Sequence, residues 1–185
     1  DANGSCLESS YWSNNQYYGT SDLTVYAQWS PYVHTVAYNA NGGVGAPASQ
    51  TKTYLVQLNL STDKPTRTGY TFASWNTAAD GSGTKWNPGD NYTPDYNGGT
   101  VTLYAQWTKD TYTISYNLNG GKISGQKTSY DVTTEAFTLP TPVRGGYTFS
   151  GWTGTGLSSA TKTVTVAKGS AGNRSYTANW SAKIY

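Results

Sequence analysis

The sequence predicts a mostly β chain made of small tandem modules, with at most one short helix in each, strung as beads. Three observations predict it: a long phrase recurs, strand-forming residues alternate within it, and glycine-rich turns cut it at matching places. Tyr38-Asn39-Ala40-Asn41-Gly42-Gly43 returns as Tyr116-Asn117-Leu118-Asn119-Gly120-Gly121, 78 residues on. Gly69-Tyr70-Thr71-Phe72-Ala73-Ser74-Trp75 returns 77 residues on as Gly146-Tyr147-Thr148-Phe149-Ser150-Gly151-Trp152. Leu103-Tyr104-Ala105-Gln106-Trp107 returns 73 residues on as Tyr176-Thr177-Ala178-Asn179-Trp180. A unit of this length is too long for a solenoid repeat and long enough to fold alone. The chain therefore divides into 1–33, the C-terminal half of a truncated repeat, and two full repeats, 34–110 and 111–185.

In chain order, residues 1–33 carry only the closing phrase, in which Leu23, Val25, Ala27 and Trp29 alternate as a half-buried strand requires. The segment lacks the first strand and the Gly-Tyr-Thr-Phe strand. It is expected either to pack on the next repeat or to stay partly mobile, and the chain reads as a slice of a longer exported protein. In the first full repeat His34, Val36 and Tyr38 share one strand face, and Asn41-Gly42-Gly43 supplies residues that tolerate positive φ for a tight turn. Residues 55–60 fit a short helical turn or another strand. Lys64-Pro65-Thr66-Arg67-Thr68-Gly69 leads into the next strand, where a proline just ahead costs no ladder hydrogen bond. Ala79-Asp80-Gly81-Ser82-Gly83 and Asn87-Pro88-Gly89-Asp90 mark two turns. Val101, Leu103, Ala105 and Trp107 then alternate along the last strand.

The second repeat follows the same plan. Tyr112, Ile114 and Tyr116 share a face, Asn119-Gly120-Gly121 turns, and 133–139 carries the same helix-or-strand ambiguity. Thr141-Pro142-Val143-Arg144-Gly145-Gly146 leads into the Gly-Tyr-Thr-Phe strand. Trp29, Trp107 and Trp180 continue an apolar alternation and are read as core. The tail, 181–185, is a linker or the beginning of another copy.

Composition bounds the chemistry. The chain has 17 Tyr and 7 Trp, which suits small cores filled by few large side chains, and equally suits a face coated with rings. Charged residues make up 12%, and the net charge of +2 is scattered singly. Without a basic stripe, nucleic acid and anionic membrane are poor partners. No apolar run approaches the ~20 residues a membrane span needs, so membrane insertion is not expected. Cys6 is the one cysteine, which rules out an internal disulfide and leaves a passive or intermolecular thiol.

Catalysis is not expected. The single histidine, His34, is read as a linker residue, and no pair of carboxylates recurs between the two full repeats. One Cys and one His make no zinc set, and no cofactor is implied. Asp1-Ala2-Asn3-Gly4 and Asp80-Gly81-Ser82-Gly83 resemble calcium-loop fragments but lack the closing glutamate, so plain turns are expected. The sequons at Asn3, Asn59, Asn91, Asn173 and Asn179 are those that chance supplies in an Asn- and Thr-rich chain.

Taken together, Tyr-Asn-x-Asn-Gly-Gly, Pro-x-Arg-x-Gly-Tyr-Thr-Phe-x-x-Trp-Asn-Thr-Ala-Ala-Asp-Gly-Ser-Gly-Thr and Leu-Tyr-Ala-Gln-Trp resemble the Listeria-Bacteroides repeat, or internalin-type B repeat, of bacterial surface proteins. All three lie between Tyr38 and Trp107; the second copy departs at Thr153-Gly154-Thr155-Gly156 and in its closing phrase. The resemblance implies a compact β-grasp module, similar to a ubiquitin-like fold, on a secreted or cell-wall-attached extracellular protein. It offers no catalytic residues to carry over.

Two functions are open. In one, the repeats form a stalk, spacer or adhesion element whose partners are neighbouring repeats and a host or neighbouring-cell surface protein or glycan. In the other they bind carbohydrate, with Trp86, Trp12, Tyr92, Tyr96, Tyr17 and Tyr18 stacking on sugar faces. The second repeat has no counterpart of Trp86 in the region of Thr163 to Gly169, which favours the first function.

Overall fold

A computed structural model of the chain describes residues 12–13, 16–17 and 29–184. β1 (Trp12–Ser13) and β2 (Gln16–Tyr17) pair antiparallel. The first full repeat contributes β3 (Val33–Asn39), β4 (Gln50–Thr53), β5 (Leu58–Asn59), β6 (Tyr70–Asn76), β7 (Lys85–Trp86), β8 (Asn91–Tyr92) and β9 (Thr100–Lys109). The second contributes β10 (Tyr112–Asn117), β11 (Ser129–Tyr130), β12 (Phe137–Thr138), β13 (Tyr147–Gly154), β14 (Thr165–Val166) and β15 (Arg174–Ala182). No helix occurs among the described residues. The ambiguous stretches hold the two-residue strands β5 and β12, which pair with β8 and β14.

Each repeat is organised around its last strand. In the first the sheet order is β4-β3-β9-β6-β7, and in the second it is β11-β10-β15-β13. The first and last strands of each repeat run parallel, as Val36 on Val101 and Tyr116 on Tyr176, whereas the other strand pairs are antiparallel. A parallel pair cannot be closed by a hairpin, so the whole middle of the repeat serves as the crossover. The central strand carries the cleanest alternation because both its edges are hydrogen-bonded and one face is buried. Leu103 and Ala105 are buried on β9, and Tyr176 and Ala178 on β15.

The Phe-x-x-Trp spacing is reconciled with strand geometry by a bulge. Residues three apart should face opposite sides of a regular strand. The pairing register slips between Phe72 and Ser74 and again between Phe149 and Gly151, so that both rings turn inward. Phe72 lies 5.0 Å from Trp75, and Phe149 lies 5.3 Å from Trp152. Trp75 and Trp152 are fully buried, one in each core. The first core joins Trp75 to Val36, Leu60, Tyr92, Leu103 and Ala105. The second joins Trp152 to Ile114, Tyr130, Leu139, Val164, Val166, Tyr176 and Ala178.

The repeated turn has one physical task. Asn41 and Asn119 adopt positive φ, and each sends its side-chain amide to the carbonyl of the buried alanine on the last strand, Ala105 or Ala178, at 2.9 Å. The indole N–H of Trp107 donates to Ala40 and Asn41, and that of Trp180 to Leu118. A Cβ at Gly43 or Gly121 would overlap the indole, so glycine there makes room for the ring. Arg67 completes the assembly by lying 4.0 Å over Tyr70, as Arg144 lies 3.8 Å over Tyr147.

Three expectations are corrected. His34 is no linker residue: it sits in β3, 3% exposed, against Tyr92 and Tyr96. Trp29 is not core; it is 89% exposed, because residues 1–33 lack an Asn-Gly-Gly turn for its indole to cover. Trp107 and Trp180 lie half-buried at the margins of their cores. The remaining residues of the expected strand, 23–28, lie outside the described residues, as do the Asp1-Ala2-Asn3-Gly4 turn and Cys6.

Candidate functional site

The aromatic residues named from the sequence fall in different environments. Tyr92 is 1% exposed in the first core, with its ring 5.0 Å from Trp86 and 5.9 Å from His34. Burial removes it from any ligand-stacking surface and pushes its phenol up to about 12, with the nearby Tyr96 adding to the effect. Trp86 is half-buried on β7 and packs against the same core. Tyr96 is open, at 51% exposure. It meets His34 edge-on at 5.0 Å, and its backbone N–H donates to His34 Nδ1 at 3.4 Å. Trp12 and Tyr17 are placed only as members of β1 and β2, and Tyr18 lies outside the described residues.

Around Tyr92 lies a polar cluster that composition did not disclose. Lys52 is buried on β4, where its ammonium donates to Asp95 Oδ1 at 2.5 Å and to the Thr53 carbonyl at 3.0 Å. The Lys52 hydrogen bond, reinforced by the Leu55 N–H, holds the Asp95 carboxyl below the usual range. A shallow cavity of about 210 Å³ opens beside this pair, lined by Leu55, Val56, Gln57, Asn91 and Thr93. Its charges satisfy one another, and His34 Nε2 is buried without a hydrogen-bond partner among the described residues. The cluster is absent from the second repeat. There Tyr112 and Tyr130 pair across β10 and β11 as His34 and Lys52 do across β3 and β4, and the Tyr130 hydroxyl donates to the Gly172 carbonyl.

A second concavity, about 410 Å³, lies on the second repeat between Arg144, Tyr147, Phe149, Trp180 and Lys183. It combines three rings with two cations and no carboxylate. The sequence signal for it was the Arg-x-Gly-Tyr spacing, whose meaning depends on the fold bringing Trp180 alongside. Among the described residues no three His, Cys, Asp or Glu side chains gather as a metal site would require. Asp80 instead closes its own turn, accepting from the Ser82 N–H at 3.0 Å and hydroxyl at 2.7 Å. No helix of the described residues is long and apolar enough to cross a membrane.

The repeats touch at their junction. β9 ends at Lys109 and β10 begins at Tyr112, leaving a two-residue connection. Lys109 reaches across to Asp131 at 2.8 Å and to the Thr133 hydroxyl at 3.0 Å. Asp110 is pinned in turn: its N–H donates to the Gly69 carbonyl, and its carboxylate accepts from Thr71 at 2.6 Å. Val132 lies against Gly69, filling the space a Cβ would occupy.

These features agree with what the chain is similar to. The model of the Listeria-Bacteroides repeat domain matches twice, at residues 34–106 and 112–179. A protein of Evansella cellulosilytica named "Putative Gly-rich membrane protein" is 38% identical over 141 residues, covering 72% of this chain and 16% of that protein. Internalin H of Listeria monocytogenes is 36% identical over 118 residues, covering 64% of this chain and 20% of that protein. The chain thus spans a fifth or less of the length of these relatives. No solved structure matches it. With both full repeats matched along almost their whole length, the chain belongs to the Listeria-Bacteroides repeat family, a family of tandem repeats in bacterial surface proteins.

Proposed function

We propose that the chain is a non-catalytic spacer or adhesion region of an extracellular bacterial protein, secreted or attached to the cell wall. The observation that carries this reading is the difference between what repeats and what does not. Residues that build the fold recur: the Asn-Gly-Gly turn, the Arg over Tyr, the bulged Phe-x-x-Trp and the indole over glycine. The partners of the rings that the sequence offered for sugar stacking do not. Leu58 pairs with Tyr92 where Phe137 pairs with Val166, and Trp75 faces Trp86 where Trp152 faces Thr161. A spacer needs only its fold residues copied. The names of the relatives, an internalin and a membrane protein, support a place at the cell surface. The parallel first and last strands, flanked by antiparallel partners, support the β-grasp assignment, and two separate cores support folding units at 34–110 and 111–185.

The test places the chain between a wall anchor and an epitope on a bacterial surface. The epitope should become accessible to a bulky antibody, lose accessibility when 111–185 is deleted, and regain it with an unrelated β domain of equal length. Saturable binding of a polysaccharide, abolished by Trp86→Ala or Tyr96→Ala with the fold intact, would overturn the reading. The groove of Arg144, Tyr147, Trp180 and Lys183 favours one alternative, recognition of an acidic glycan by stacked rings and two cations. That alternative predicts binding of acidic but not neutral polysaccharides, weakened by Lys183→Ala.

A further inference from the structure

The junction between the two repeats has an open counterpart at the far end of the second. Gly69 and Gly146 hold the same place ahead of the Gly-Tyr-Thr-Phe strand, with φ of 78° and 74°. At each, the residue just past the last strand donates its N–H to the glycine carbonyl at 3.0 Å: Asp110 to Gly69, and Lys183 to Gly146. The backbone socket is therefore the same at both ends. At Gly69 it is filled by the Val132 side chain; at Gly146 nothing lies within 4 Å of where a Cβ would be. The filling residue also has a structural address. Val132 stands two residues past the Tyr112–Tyr130 pair, in the loop that follows β11.

We propose that the Gly146 socket, rimmed by Lys183, is a docking surface for another copy of this repeat, which seats the aliphatic residue of its β11-type loop there as Val132 seats on Gly69. The occupant is identified by continuity with the junction already present: the socket and the backbone hydrogen bond are both supplied by fold residues rather than by unique ones. Two parts differ: Ala182 pairs with Tyr147 where Lys109 pairs with Tyr70, and Lys183 stands where the Asp110 carboxylate accepts from Thr71. The Lys109–Asp131 ion pair is thus particular to the first junction, and the second relies on the socket. Exposed ion pairs contribute little, so the apolar contact and the backbone bond define the docked pose. The consequence is a stack of repeats with one fixed step rather than beads on free tethers.

This deepens the spacer reading and rests on it, and the two fail separately: a loosely tethered third repeat would still hold an epitope off the cell. The test extends the chain by joining residues 111–183 again after Lys183, on a Cys6→Ser background. Pulsed electron resonance distances are read between spin labels at Thr51 and Ser129, which are equivalent exposed positions of the two repeats, and between Ser129 and its counterpart in the added repeat. Both pairs should give narrow distributions with the same mean. Gly146→Asn tolerates positive φ but fills the socket, and Val132→Ser in the added repeat removes the knob; each should broaden only the second distribution. A broad second distribution beside a narrow first would overturn the proposal, as would two broad ones. So would a narrow second distribution indifferent to both substitutions.

Discussion

At the residue scale, the side chains that the sequence repeats most faithfully serve packing geometry. Trp107 and Trp180 need a glycine beneath them, and the turn that supplies it also satisfies their indole N–H groups. Gly43→Ala or Gly121→Ala should therefore destabilise its own repeat by about 1–3 kcal/mol, the usual cost of overpacking, as read from denaturant midpoints. Unchanged midpoints would mean the indole has somewhere else to go. Tyr92 makes a different prediction. Its folded-state pKa, about 12, lies above the ~10 of an unfolded chain. The neutral phenol therefore supports the fold below pH ~10, and that support is lost as the pH rises from there toward ~12. Tyr92→Phe should leave stability at neutral pH nearly unchanged and flatten the alkaline loss, measured as the thermal midpoint against pH. Tyr92 also shows the limit of sequence reading at this scale. Its irregular surroundings suggest a surface ring, and only the β5–β8 ladder carries it inward.

At the element scale, strand periodicity was legible on the central strands β9 and β15, where pairing is regular through the core and one buried face imposes the alternation. It was not legible on β6 and β13, where a bulge turns residues three apart to one side. A bulge leaves no signature in composition, since the extra residue, Ala73 or Ser150, is chemically ordinary. Trp75→Ala and Trp152→Ala should each cost about 3–5 kcal/mol, because each empties the centre of a core too small to collapse around the gap. If the cores are separate, each substitution lowers one of two calorimetric transitions and spares the other. A single shared transition for both would show that the repeats unfold as one unit. The short strands β5 and β12 stayed open between helical turn and strand because two residues carry no period.

For the whole molecule, the junction decides behaviour. The Lys109 hydrogen bond, followed by that of Thr133, holds the Asp131 carboxyl well below the usual carboxylate range. A depressed folded-state pKa means its stabilising contribution is present above pH ~4 and is lost as the pH falls through the lower folded-state value. Asp131→Asn should abolish this acid dependence, and carboxyl chemical shifts titrated in the intact chain should place Asp131 below the other aspartates. Lys109→Ala should broaden the distance between labels at Thr51 and Ser129 less than Val132→Ser does, because an exposed ion pair contributes little to holding the two repeats together. The sequence by itself determined that the chain is a mostly β tandem array, where its turns fall and which family it belongs to, since these depend on local φ preferences, alternation and a motif copied in register. Only the tertiary structure decided which rings are core, that His34 and Lys52 are buried, and that the repeats meet through Val132 and Gly69. Those outcomes depend on residues far apart in the chain being brought together. A glycine filled by its neighbour's valine and a glycine open to solvent are the same letter in the sequence, and only the contact separates them.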